Sequence, residues 1–364
     1  MKQKKIVILT WTGVYNFGTA LQSYALQHAL ELQGVHVQIM DKIKHESCIK
    51  SWIKEKKELL KFLFENKETR AHKMKRFHRS FQKILRPNIQ QLHKVVNDTD
   101  VFISGSDQIW NTAHRYSPMM FLDFADGKKR VSYATSIGTE TILPQYKEIV
   151  KKHLLKYQYI AVREETARVA LSQLTQRSDI VTVVDPTFLL TADNWLRFAS
   201  FSHLNVQLSK PYILCYLIGK NTYYQKQIKD IMKRSGINDI VIIPLKKTSS
   251  VKIKNAIIIE NADPHDFVYL IKNATLVCTD SFHATAISIN LSKQFVELLR
   301  FKDTEQSSQN SRIYNLLNHY NLNNYLYQED SNKWLETIDY KKVHKILESD
   351  RDFSLTYLKK AISE

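Results

Sequence analysis

His283 is the side chain best placed in this sequence to move a proton. It sits in Thr279-Asp280-Ser281-Phe282-His283-Ala284-Thr285, where the apolar run from Ala274 to Cys278 ends in small polar residues. Upstream, Phe267, Val268, Leu270, Ile271 and Ala274 recur at helical spacing, and Ala286 to Leu291 reads as helix again. The local order is therefore helix, short buried strand, polar turn, helix. In an open parallel α/β sheet, ligands bind outside the carboxyl ends of the strands, and the next helix aims its free N–H groups at them. An anion suits that place, with Asp280 or Ser281 capping the helix and Ser281, His283 and Thr285 adding donors. The plainer alternative is that Asp280 and Ser281 only cap the helix and that His283 is a satisfied, half-buried side chain.

Three other stretches could meet the same ligand. Asn16-Phe17-Gly18-Thr19 follows the apolar run Lys5 to Thr10 and opens an amphipathic helix closed by Gly34, so Asn16 and Gly18 can bring backbone close to a polar group. Alternatively, Gly18 simply serves the loop's φ angle. Val101-Phe102-Ile103 runs into Ser104-Gly105-Ser106-Asp107, whose small residues permit close approach and whose carboxylate can take a proton from a hydroxyl. Asp107 can equally be a turn residue bonded to its own backbone. Arg163, at the end of Ile160-Ala161-Val162, can clamp a phosphate or carboxylate bidentately, or pair with Glu164 or Glu165. Arg312 opens an apolar helix and could supply a second cation.

These residues need a scaffold of alternating strands and helices. Continuous apolar runs at Lys5–Thr10, Val35–Met40, Val101–Ile103, Val131–Ala134, Ile160–Arg163 and Val181–Val184 read as buried parallel strands. A second series follows at Tyr212–Ile218, Ile240–Ile243, Ala256–Glu260, Ala274–Cys278 and Val296–Leu298. At 364 residues the chain is long for one core, and two α/β domains are the natural division. The expected organisation is a first domain over 1–195 with a basic helical insertion at about 42–94, a second over 196–325, and a helical tail over 326–364 free to pack back on the first.

The net charge of +17 calls for anionic partners. No nucleic-acid recognition motif accompanies it, so nucleic acid is not expected. The charge is concentrated instead: from Lys42 to Lys94 there are 16 Lys plus Arg against 5 Asp plus Glu, interleaved with Trp52, Phe62, Phe64, Phe77 and Phe81. Such a segment suits an anionic membrane surface, or else forms helices with solvated lysines that pack on their own domain. Cys48, Cys215 and Cys278 form no CxxC pair, and the first turn lacks the G-x-G-x-x-G fingerprint. Neither a metal nor a redox cofactor is expected. No apolar run approaches a membrane span, and Ile6–Leu9 is too short for a signal peptide core. A cytoplasmic protein, at most peripheral to the inner face of the plasma membrane, is expected.

Asn16-Phe17-Gly18 with Leu21-Gln22-Ser23-Tyr24-Ala25-Leu26, then Ser104 to Asn111, Ser132 to Gly138, Val162-Arg163-Glu164, Val184-Asp185-Pro186-Thr187 and Thr279 to His283, occur in the order seen in the polysaccharide pyruvyl transferase family, which the chain resembles from roughly Ile6 to Leu317. The resemblance implies two Rossmann-like domains facing a cleft, in the manner of the GT-B glycosyltransferases. It also implies transfer of a pyruvyl group from phosphoenolpyruvate to two hydroxyls of a sugar, giving a cyclic ketal and phosphate. The acceptor would be a sugar of a surface polysaccharide or its lipid-linked repeat unit. The family histidine carries over to His283. Family members tend to have Arg-Leu-His here, whereas Ser281 takes the arginine's place, so the donor's anion needs another partner.

Phosphoenolpyruvate carries two anionic groups, which the helix start at Ser281 with Arg163 or Arg312 could hold. Ketal formation needs an acid, for which His283 is the candidate, and a base, for which Asp107 is the weaker one. Two alternatives stay open from the residues: a GT-B glycosyltransferase with a nucleotide-sugar donor, and a non-catalytic organiser of polysaccharide assembly.

Overall fold

A computed structural model describes residues 3–13, 16–43, 69–208, 211–245, 251–304 and 308–363. Five of its strands, β1 Lys5–Leu9, β2 His36–Met40, β3 Ile84–Leu85, β4 Val101–Ser104 and β5 Lys129–Ser132, form a parallel sheet in the order β3-β2-β1-β4-β5. A short parallel pair, β6 Ala161–Val162 with β7 Val181–Thr182, continues it through single bridges such as Val131 to Tyr159. The second sheet repeats the plan with β8 Tyr212–Tyr216, β9 Asp239–Ile242, β10 Ile257–Ile258, β11 Leu276–Thr279 and β12 Phe295–Glu297, in the order β10-β9-β8-β11-β12. The protein is thus α/β, with two Rossmann-like domains.

The central strands are apolar throughout because both their faces are covered: Ile6 to Leu9 and Ile213 to Tyr216 are all buried. Each strand order reverses once, between β1 and β4 and between β8 and β11, and these switch points open the crevices where α/β sheets bind ligands. The two crevices face one another because the helix Phe17–Glu31 packs between the sheets. Asn16 caps that helix by accepting from Gly18 N at 3.0 Å. Phe17 stacks on Phe267 at 4.8 Å, with Tyr216 tilted against it at 5.7 Å. One continuous apolar core, from Ile6 and Leu21 to Phe267 and Ile287, therefore runs through both domains.

Two elements fasten this arrangement. The helix Arg70–Phe81 buries Met74 and Phe77, and Phe77 and Phe81 meet Phe198, Phe201 and His265 edge-on. On the same helix Lys73 pairs with Asp266 of the second domain at 2.9 Å. The described part of the basic segment thus spends its apolar face inside the protein, as the packing alternative requires. Residues 44–68, which include Trp52, Phe62 and Phe64, lie outside the described residues. The terminal helix Tyr340–Ser363 returns to the first domain, where Ser354 Oγ accepts from Val184 N at 3.1 Å and Tyr357 donates to Ser132 O at 3.1 Å. Among the described residues no helix is long and apolar enough to cross a membrane.

Candidate active site

The turn after β11 is built as its residue types dictate. Ser281 is the N-cap of the helix Phe282–Asn290, its side chain accepting from Ala284 N. Asp280 does not cap: its carboxylate accepts from Ile218 N, Gly219 N and Tyr224 OH, each at 2.7 Å, and ties the end of β11 to the loop after β8. Of the two residues expected to cap the helix only Ser281 does so, and three donors fix the Asp280 carboxylate, expected as a substrate contact, in this structural role.

His283 lies in the first turn of that helix, 6% exposed, against the helix Phe17–Glu31 of the other domain. A Cβ on Gly18 would fall 2.3 Å from His283 Nδ1 and 2.6 Å from Cγ, so Gly18 is needed for side-chain clearance. This is a different reason from a φ angle. His283 Nε2 is 3.5 Å from Asp185 Oδ2 and has no hydrogen-bond partner among the described residues.

Asp185 collects the charges of the site. Its carboxylate accepts from Arg163 Nη1 at 2.9 Å, Ser106 Oγ at 3.2 Å, Thr187 N at 3.0 Å and Thr187 Oγ1 at 2.8 Å. Burial opposes its charge, yet His283, Arg163 and Thr187 together hold its carboxyl well below the usual carboxylate range. Arg163 also donates to Glu164 Oε1 at 2.8 Å and lies over the Phe282 ring at 4.4 Å. Burial works against the guanidinium, but Glu164 and Asp185 outweigh it and hold its proton more tightly than usual. Its Nη2 remains without a partner among the described residues.

The second cation is Arg312, 9% exposed in the helix Ser311–His319. Its proton is pushed down to about 10 by burial and by the charges of Arg163 and Arg300. Arg300, after β12, donates from Nη2 to Asp280 O at 2.9 Å. Arg163, Arg300 and His283 thus lie at one helix N-terminus, with Arg312 near enough to both arginines to feel their charge. Arg163 Nη2, Arg300 Nε, Arg312 Nε and His283 Nε2 are all buried without a hydrogen-bond partner among the described residues, Arg300 Nε standing 3.6 Å from Asp280 Oδ2 and His283 Nε2 3.5 Å from Asp185 Oδ2. Buried donors in native proteins are nearly always satisfied, so these N–H groups make the place a candidate anion site.

The remaining expected residues divide. Asp107, at φ +76°, accepts from its neighbour Gln108 N at 2.9 Å and from Thr19 Oγ1 at 3.0 Å. The self-bonded turn is therefore present, and its carboxylate also reaches the helix that carries Gly18. Ser106 faces the site through Asp185, whereas Ser104 does not. Ser104 Oγ lies 3.0 Å from Met120 O and 2.6 Å from Tyr157 OH, on the far face of β4, so its place as a substrate contact is corrected to a packing one. Gly105 likewise serves packing, for a Cβ there would meet Ile8 Cγ2 at 2.9 Å. Asn16 acts through its cap. The sequence reading missed Asp185 and Arg300 as site residues. Asp185-Pro186-Thr187 was visible as a strand ending, but its partner His283 comes from the other domain, and Arg300 stands in no motif.

Fold and site define a GT-B-like, two-domain protein with Arg163, Arg300, Arg312 and His283 gathered among the carboxylates of Asp185, Glu164 and Asp280. A family model described as polysaccharide pyruvyl transferase matches residues 16–299, and the chain belongs to that transferase family. No curated protein matches its sequence. Among solved structures, an α-glucosyltransferase in complex with UDP and a 13-mer DNA is similar at TM-score 0.53, with 10% identity over 100% of both chains. A Listeria monocytogenes protein assigned as a UDP-N-acetylglucosamine 2-epimerase is similar at 0.50, with 11% identity over 97% of this chain and 91% of that one. The Neisseria meningitidis UDP-GlcNAc 2-epimerase follows at 0.49, with 14% identity over 98% and 94%. At such identities the likeness is one of fold.

Proposed function

We propose that the protein transfers a pyruvyl group from phosphoenolpyruvate to two hydroxyls of a sugar in a bacterial surface polysaccharide or its lipid-linked precursor. The observation that carries this reading is the set of four orphan N–H donors on Arg163, Arg300, Arg312 and His283, because a donor with both a carboxylate and a phosphate needs several fixed cations around one reacting carbon. With Ser281 in place of an arginine, Arg300 is the cation that stands beside Asp280.

The chemistry then runs in two balanced steps. A sugar hydroxyl adds across the enol double bond: its oxygen bonds to the central carbon, its own proton passes to the base, and the π pair takes a proton from His283 at the methylene carbon. The second hydroxyl attacks that carbon, its proton goes to the imidazole left neutral by the first step, and phosphate leaves with the bonding pair and takes up the proton held by the base, completing the ketal. His283 is the candidate acid, and Asp185 Oδ2, 3.5 Å from its Nε2, can orient the ring. Asp107 is the candidate base, reaching the cleft beside Thr19.

Ligand stabilisation tests the reading, since whatever binds only the folded state raises its melting temperature. Phosphoenolpyruvate is expected to raise Tm, and with an acceptor polysaccharide to release phosphate. A rise with UDP or a UDP-sugar and none with phosphoenolpyruvate would overturn it in favour of glycosyl transfer.

A further inference from the structure

Arg312 is a buried cation whose hydrogen-bond partners are amides. Its Nη2 donates to Gln309 Oε1 at 2.9 Å, and Gln108 of the other domain meets the same Gln309 oxygen at 2.8 Å. Turned so that its oxygen faces the guanidinium, the Gln108 amide accepts from Arg312 Nη1 at 2.9 Å and Nη2 at 3.1 Å, but then sets its oxygen 2.8 Å from Gln309 Oε1 and its nitrogen 2.7 Å from Asn111 Nδ2, like against like. A second donor claims that oxygen. Asn111 Nδ2 lies 2.7 Å from Gln108, and Asn111 cannot turn its own oxygen there, because Oδ1 already accepts from Ala113 N at 3.0 Å and His114 N at 3.1 Å. Gly138, at φ +70°, keeps this corner open: a Cβ there would fall 2.3 Å from Asn111 Nδ2 and 2.4 Å from Gln108 Oε1.

Gln108 therefore has one oxygen for two donors, Arg312 and Asn111. An amide oxygen carries only partial charge, and a carboxylate or phosphate oxygen makes a hydrogen bond to guanidinium roughly twice as strong. We infer that Gln108 is a place-holder for an anionic oxygen at Arg312: it lends its oxygen to the guanidinium until the donor's anion arrives, then turns its amide, gives the oxygen to Asn111 and offers its N–H₂ to the anion. This makes Gln108 a specificity residue for the donor's charge, contributed across the domain gap, and it rests on the donor reading above. The turn exchanges the two Arg312 bonds, which the anion takes over, for those to Asn111 and Gln309. The orphan Nε of Arg312 gives the incoming anion a second contact without displacing anything.

The test replaces the place-holder by a permanent counter-ion. Gln108→Glu keeps the shape and sets a carboxylate on Arg312, so the ligand-free protein should melt at the wild-type temperature or above it. Its Tm should no longer respond to phosphoenolpyruvate, and the donor KM should rise about tenfold or more while kcat changes less. Gln309→Glu places the same charge from the second domain and should do the same, which covers a failure of the first variant to fold. Gln108→Met should lower the ligand-free Tm but leave a measurable donor response. A Gln108→Glu or Gln309→Glu protein that responds to phosphoenolpyruvate as wild type does would overturn the inference. If wild type ignores phosphoenolpyruvate, the donor reading fails, and inorganic phosphate and pyruvate become the probes. Stabilisation of wild type but not of Gln108→Glu by either anion would then support the place-holder, and no stabilisation of wild type by any of the three would overturn it.

Discussion

His283 Nε2 and Asp185 Oδ2 face each other at 3.5 Å across the domain boundary, and the carboxylate is fixed from behind by Arg163, Ser106 and Thr187. Asp185 so fixed can orient the imidazole, which is the candidate general acid. His283→Ala should lower kcat by roughly 10²- to 10⁴-fold, the usual range for a general acid. His283→Gln should not restore the rate, because an amide donates a hydrogen bond without delivering a proton. Recovery of activity by His283→Gln, with a defect confined to the donor KM, would make His283 an anchor instead.

Asp185→Asn probes the other half of the pair. It removes the charge that faces the imidazole and leaves Arg163 with Glu164 as its remaining carboxylate. Breaking one member of a buried ion pair costs about 3–5 kcal/mol, so the variant should melt well below wild type and lose activity in whatever fraction stays folded. An unchanged Tm measured by calorimetry would show that Asp185 is not structurally tied to Arg163.

Gly18 offers a sign reversal. Gly→Ala inside a helix ordinarily gains about 1 kcal/mol. Here the new methyl would meet the His283 ring at 2.3 Å, so Gly18→Ala should destabilise the protein and displace the imidazole. Removing the ring should relieve most of the clash, and the Gly18→Ala, His283→Ala double variant should melt above the sum of the single losses. Simple additivity in that cycle would contradict the contact.

Lys73 decides what the described end of the basic segment does. It is paired at 2.9 Å with a fully buried Asp266, which also accepts from Ser202 Oγ at 2.7 Å. Lys73→Met should cost about 3–5 kcal/mol, whereas exposed Lys75 on the same helix should tolerate Ala within about 0.5 kcal/mol. Equal, small effects in thermal melts would return Lys73 to the class of solvated surface charges.

The two sheets were legible in the sequence because parallel strands buried on both faces must be apolar without alternation, as Ile6 to Leu9 and Leu276 to Cys278 are. Ile84–Leu85, expected within the helical insertion, is instead an edge strand paired with β2, and like Ile257–Ile258 it is two residues long and partly exposed, too short for its pattern to show. At the site, a strand ending in polar residues before a helix located His283, and the Val-Arg-Glu ending located Arg163. Ser104 and Gly105 were misread because small residues at a strand end serve close packing as well as ligand approach, and only the neighbours Tyr157, Ile8 and Thr10 decide between them. Asp185, Arg300 and the Gln108 to Arg312 contact depend on pairing between segments far apart in the chain, which no local spacing encodes.

Glu297 carries the remaining prediction. Its side chain is fully buried at the end of β12, where Oε2 accepts from Thr285 and Oε1 has no hydrogen-bond partner among the described residues. Burial pushes its carboxyl well above the ordinary 4.5, with Asp280 adding to the rise. In the unfolded chain the group ionises near its ordinary value, so at acid pH both states are protonated and it contributes no pH dependence. As pH climbs past that point the unfolded state sheds the proton while the folded state keeps it, and stability falls by up to about 1.4 kcal/mol per unit until the folded carboxyl ionises too. Glu297→Gln keeps the size and the acceptor toward Thr285 but cannot ionise. Its Tm relative to wild type should therefore rise between pH 5 and pH 8, whatever its offset at pH 5. A difference between the two proteins that stays constant over that range would mean that Glu297 is already ionised in the fold.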